Sequence, residues 1–196
     1  IQKCMIEDSL SYDGKHFKFD DLQIPIKPKQ KPNPPFWYPT FSAEGTKYAA
    51  SHGFNFITLG PPELASQLAA LYRETLTESE QPKIGAMRQV FIADNDQEAI
   101  KIAKPAYNTW YNSITELWHK NNDGSFDDFF SWDSCLDNET ILIGSTETVK
   151  SKLLELVEKT GINYLAASFA WGSLPFQRSQ ESMQRFIEEI APALRT

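Results

Sequence analysis

Cysteine is almost missing. The chain holds only Cys4 and Cys135, far apart and without CxxC spacing. That excludes a disulfide framework and a cysteine-built zinc site; reduced thiols in a cytoplasm are the simplest reading. Histidine is scarce too. His16, His52 and His119 show no HxxxH or comparable ligand spacing, so no metal site is expected. No run of 18 apolar residues exists, so no membrane-spanning helix is expected. Positive charge is short: 19 Lys and Arg stand against 26 Asp and Glu, a net −7. That balance argues against a nucleic-acid surface built on phosphate contacts. The signatures GxGxxG, GxxxxGK[ST] and GxSxG do not occur. The acidic stretch 123–137 lacks the DxDxDG order of a calcium loop and reads as solvated. No Ser-His-Asp set or carboxylate pair can be argued from spacing, so the catalytic residues stay unassigned.

What is present is a βα alternation. Apolar residues make up 41% of the 196, enough for one substantial domain. The start, IQKCMIEDSL, has neither the basic nor the apolar region of a signal peptide. It opens on Ile1 rather than Met, which suggests a fragment or a processed chain. Residues 1–35 read as an irregular connector. Five prolines between Pro25 and Pro35 remove backbone donors and exclude a helix or a central strand.

From 36 onward the pattern predicts strands over 36–41, 54–59, 85–93 and 162–170. Helices are expected over 42–52, 63–79, 96–120, 146–160 and 177–194. Pro105 predicts a kink in the third of these. Residues 121–140 read as a loop or insertion. Strands that alternate with helices predict a parallel sheet with helices packed outside. The domain boundary is therefore placed between a 1–35 connector and a 36–196 α/β domain. Half of a (β/α)8 barrel and a flavodoxin-like sheet both fit four βα units.

The stretch FWYPTFSAEG, 36–45, is the first site candidate. A strand ends on small polar residues and a helix starts. The plain reading is a Ser42 N-cap; the functional reading is a helix N-terminus open to a phosphate, with Thr40 and Ser42 as donors and Gly45 giving room. Leu59-Gly60-Pro61 follows the second strand and reads as a turn. Phe169, Trp171 and Gly172 end the last strand; the two aromatic rings could line a pocket, and core packing is the favoured reading. Gly144-Ser145-Thr146 is another capped helix start, read as capping alone.

Taken in order, SYDGKHFKFDD, PPFWYPTFSAEGTKYAASHGFNFITLGPP, DNDQEAIKIAKPAYNTW, ILIGSTETVKSKLLE and GINYLAASFAWGSLP resemble the C-terminal half of the bacterial-luciferase-like, flavin-dependent monooxygenases. The resemblance implies an α/β fold: the C-terminal half of a (β/α)8 TIM barrel, four parallel βα units behind an irregular Pro-rich segment. It implies an oxidoreductase using reduced FMN, or F420 in some branches, with O2 and a small organic substrate. A separate flavin reductase would be a partner, as would a second copy or an N-terminal half. The implied cofactor-binding residues are Thr40, Ser42 and Gly45, with Trp171 as a pocket wall. The other reading is a non-catalytic half-barrel that self-associates or binds flavin without turnover.

Overall fold

The computed structural model describes residues 1–77 and 82–195. Ile1–Phe36 and Trp37–Thr196 form separate compact units.

The first unit has more regular structure than its composition predicts. It holds a short helix α1 (Gln2–Ile6) and two strands, β1 (Ser9–Asp13) and β2 (Lys18–Gln23). The strands pair antiparallel, with Tyr12 opposite Phe19. Two local features close this hairpin. Gly14 sits where a Cβ would strike the Tyr12 ring at 2.3 Å. Asp21, at φ 46°, accepts from the Ser9 hydroxyl at 2.7 Å. The proline-rich run from 25 to 35 carries neither helix nor strand.

The second unit alternates strand and helix: β3 (Trp37–Pro39), α2 (Ala43–Ser51), β4 (Asn55–Thr58), α3 (Pro62–Thr75), β5 (Ile84–Ile92) and α4 (Asp96–Lys120). Then come α5 (Asp127–Phe130), α6 (Trp132–Asp137), β6 (Ile141–Gly144), α7 (Thr146–Thr160), β7 (Tyr164–Ser168) and α8 (Phe176–Arg185). A π turn (Phe186–Ile190) and a 3-10 turn (Ala191–Leu194) follow. The end of the expected 63–79 helix, residues 78 and 79, lies outside the described residues.

Every strand pair in this sheet is parallel. β3 pairs β4, and β4 pairs the start of β5. β6 lies along the end of β5, and β7 runs along residues 85–89 of β5. The sheet thus has five strands rather than the expected four. The extra one, β6, is four residues long and wholly buried. A short apolar run of that kind has no periodicity to declare it. Residues 121–140 are also less irregular than expected, since α5 and α6 form there. The helix assigned through Pro105 is continuous from Asp96 to Lys120. Its Ala99, Ala103, Ala106 and Tyr107 are buried along one face, and that packing outweighs the hydrogen bond that proline removes.

Strand alternation divides the core in two. Ala86, Val90 and Ile92 of β5 join Leu68 and Tyr72 of α3 and Val149 and Leu153 of α7. Phe91 and Ala93 join Ala99, Ala103 and Tyr107 of α4, Cys135 of α6, and Trp171. Successive β5 side chains point to opposite faces, so each layer takes alternate residues. Burial on both faces explains why VFIA reads as one apolar run.

Candidate functional site

Two features lie where strands give way to helices. The first is the turn from β3 into α2. Thr40 still belongs to the sheet, its N–H donating to the Ile57 carbonyl at 3.1 Å. Its Oγ1 then accepts from the Ser42 N–H at 3.1 Å. Ser42 is the N-cap, with an extended backbone, and its Oγ accepts from the Gly45 N–H at 3.1 Å. The structure therefore brings Thr40, Ser42 and Gly45 together in one turn. A Cβ on Gly45 would lie 2.3 Å from Thr40 Oγ1, so only glycine fits beneath that hydroxyl.

A helix start has four N–H groups with no intrahelical acceptor. In α2 those of Ser42 and Gly45 are taken by the turn itself. Those of Ala43 and Glu44 remain at the helix end. The hydroxyls of Thr40 and Ser42 are 3.3 Å apart, so one donates to the other and one proton is left to face outward. The turn thus offers an anion two N–H groups and one O–H, in the positive field of the helix.

The start of α7 makes the contrast. Its Ser145 N–H donates to the Asp96 carboxylate at 2.6 Å, and the Thr148 hydroxyl donates to the same carboxylate at 3.0 Å. These bonds hold the Asp96 carboxyl below the usual range. That N-terminus already has its anion.

The second feature is a cavity of about 300 Å³. Leu59 past β4, Met87 and Gln89 of β5, and Ser168 of β7 form its sheet side. Tyr107 and Trp110 of α4 with Phe129, Phe130 and Trp171 supply aromatic walls. Gly172, at φ +55°, lets the chain after β7 press on α4; a Cβ there would lie 1.8 Å from the Ala106 carbonyl oxygen. Trp171 is 6% exposed and its ring meets Tyr107 edge-on at 6.2 Å. The Tyr107 hydroxyl donates to the Phe130 carbonyl at 2.9 Å and lies 3.1 Å from Cys135 Sγ. Burial pushes that phenol well above its ordinary value.

Trp171 is therefore not part of the Thr40 turn. Phe41 links the two places, meeting Phe129 edge-on at 5.5 Å. Phe169 does not share the Trp171 side; it packs on Phe186 at 5.2 Å in the other core. Leu59 lines the cavity, whereas Gly60 turns its carbonyl to Arg88 Nη2 at 3.0 Å. Sequence reading missed the aromatic walls from 107 to 130, because they sit on a helix and on a segment read as loop. It also missed Arg88, fully buried with no ion-pair partner among the described residues. Among those residues no three His, Cys, Asp or Glu are grouped to hold a metal. No described helix is long and apolar enough to cross a membrane.

The luciferase-like monooxygenase profile matches residues 1–164. The chain belongs to the luciferase-like monooxygenase family. Its relatives include the uncharacterized protein y4wF of Sinorhizobium fredii, 26% identical over 97% of this chain and 57% of that protein. Another is the oxygenase component of the flavin-dependent trigonelline monooxygenase of Acinetobacter baylyi, 24% identical over 97% and 57%. The chain thus spans little more than half the length of these relatives. Among solved structures, monooxygenase RslO1 of Streptomyces bottropensis superposes with a TM-score of 0.80 at 17% identity, over 98% of this chain and 58% of that one. The oxygenating constituent of 3,6-diketocamphane monooxygenase of Pseudomonas putida, in complex with FMN, gives 0.68 at 19%, over 97% and 60%. An F420-dependent secondary alcohol dehydrogenase with an F420-acetone adduct gives 0.70 at 15%, over 100% and 59%. The parallel α/β fold is shared across FMN and F420 enzymes alike.

Proposed function

We propose that this chain is the C-terminal part of a flavin-dependent monooxygenase, with residues 36–196 as half of a (β/α)8 barrel and residues 1–35 as its connector. The observation that carries the reading is the unfilled start of α2 beside an aromatic cavity. Thr40, Ser42, Ala43 and Glu44 would receive the phosphate of FMN, with Gly45 keeping the turn tight. Two N–H groups and a hydroxyl suit a phosphate monoester. The Glu44 carboxylate must point away from it, since like charge would repel.

Bound reduced FMN supplies the electrons and the oxygen chemistry. The chain's own residues bind, orient and exclude water. The helix start anchors one end of the cofactor. The cavity walls, of which Trp171 is one, shield the organic substrate. A separate reductase would deliver the reduced flavin, and F420 is the alternative cofactor.

The test compares FMN with riboflavin by fluorescence quenching. FMN binds more tightly, and Gly45→Val abolishes the difference by driving Thr40 out of the turn. Equal affinity for both ligands in the unaltered chain overturns the phosphate site.

A second reading has its own observation. β3 pairs only with β4, and β6 and β7 pair only with β5, so three strands of the sheet have an unpaired edge among the described residues. Unpaired edges invite another strand. A half-barrel that associates with a second copy, without turnover, accounts for that feature.

A further inference from the structure

We infer that Gln89 is the specificity-determining residue of the cavity. Its carboxamide pairs with an N–H and a C=O held side by side on the guest, the edge of a neutral lactam or cyclic imide. The inference rests on the proposed function for naming the molecule that carries this edge; the recognition itself does not.

Strand register places the group. Gln89 lies between two strands, opposite Ile141 of β6 and Ser168 of β7. Met87 and Gln89 on β5, and Ser168 and Ala170 along β7 and just past it, alternate toward one face, and all four line the cavity. Ser168 and Ala170 are short and leave the end of the Gln89 side chain uncovered.

Most other polar groups in the wall are satisfied within the chain. The Tyr107 hydroxyl serves the Phe130 carbonyl, the Cys135 thiol donates to the Phe129 carbonyl at 3.3 Å, and the Thr140 hydroxyl donates to the Cys135 carbonyl at 3.2 Å. Gln89 differs. It is 9% exposed, and its carboxamide has no hydrogen-bond partner among the described residues. Nor is it sealed in. Among the described residues, the side-chain atoms both closed to solvent and unpartnered are Arg88 Nε and Trp171 Nε1. The Gln89 carboxamide therefore opens on the cavity that its residue lines.

An apolar side chain would complete this wall at lower cost, since a polar group taken from water without a partner is penalised. A carboxamide carries donors and an acceptor in one plane. It meets a paired donor and acceptor with two bonds at once, as it does on the edge of adenine. The indole N–H groups of the wall donate only, so they cannot read both halves of such an edge. No lining residue is charged, so a neutral edge is favoured over a carboxylate or an ammonium. An organic substrate and the pyrimidine ring of a flavin can both present it.

The experiment titrates the intact chain with two isomers by calorimetry. In 4-methyl-2-quinolinone the N–H and C=O are free; in 1-methyl-2-quinolinone the methyl group blocks the N–H at equal size. The first binds with a Kd on the order of 100 μM. The second binds about tenfold more weakly. Equal affinity in the unaltered chain would overturn the inference.

Gln89→Met keeps the length of the side chain and removes its polar end. It weakens the 4-methyl isomer about tenfold and leaves the 1-methyl isomer within about twofold. Equal losses would mean a packing role only, and a retained preference would place the recognition elsewhere; either overturns the assignment to Gln89. Saturating FMN then separates the two carriers of the edge. Displacement of the lactam assigns the edge to the flavin ring, and joint binding assigns it to the substrate. A lactam preference without FMN binding keeps this inference and removes the cofactor reading. FMN binding without a lactam preference does the reverse.

Discussion

Arg88 stands in the middle of β5, fully buried. Its Nη1 donates to the Met87 carbonyl at 2.7 Å and its Nη2 to the Gly60 carbonyl at 3.0 Å, while Nε has no partner among the described residues. Burial pulls the guanidinium down to about 10, against the opposing field of Glu139. A buried charge held only by carbonyls is a poor stabiliser, yet its stem fills space. Arg88→Met should therefore be tolerated better than Arg88→Ala. We expect the alanine variant to lose about 2–4 kcal/mol and methionine to recover most of it, read from urea midpoints. An equal loss would mean the Gly60 bond, not the volume, is what matters.

Asp96 gives the pH prediction. Its folded pKa lies below the unfolded value because Ser145 and Thr148 donate to it, with Lys152 adding a smaller attraction. A depressed carboxylate contributes stability above the unfolded value of about 3.9 and loses it as pH falls through the folded one. Asp96→Asn should flatten the acid limb of a stability profile below about pH 4. The flattening is partial, since Asp94 and Asp127 are lowered as well. An unchanged acid limb would remove Asp96 from the account.

At the scale of elements, α4 and α5 are tied by one carboxylate. Asp127 accepts from the Tyr111 hydroxyl at 3.0 Å and lies 2.6 Å from His119 Nε2. Phe126 and Phe130 lie against Trp118 in the same place. Asp127→Ala should loosen this corner alone. Amide exchange should quicken across 122–131 and stay slow in β5, because the tie is exposed and local.

Legibility in the sequence also divides at this scale. α2, α4 and α7 were readable because each begins on a capping side chain: Ser42, Asn95 and Ser145 each accept from a backbone N–H three residues on. β6 was not, because four apolar residues fit a strand or a helix equally. The Thr40 turn was legible since its residues are neighbours in the chain. The cavity was not. Trp171 meets Tyr107 across 64 positions of sequence, and only the fold makes them neighbours.

For the whole molecule, the sheet's edges govern the expectation. β3, β6 and β7 each pair on one side only among the described residues. A chain of 22.3 kDa with such edges should not remain a monomer at working concentrations. Sedimentation should report a species of at least twice the chain mass, or a complex with a segment homologous to the other half of its relatives. A monodisperse monomer would remove the second reading of its function.

The two helix starts also separate two times in the protein's life. α7 receives its anion from Asp96 during folding, so its N-terminus is complete at any solution composition. Under the proposed function, α2 is completed only by a ligand that arrives afterwards. The stability of the chain should then follow its surroundings. A phosphate-bearing ligand at a hundred times its Kd would add about 2.7 kcal/mol. A melting curve in rising FMN would follow that dependence, and for cells short of flavin it would mean a protein less resistant to unfolding and proteolysis.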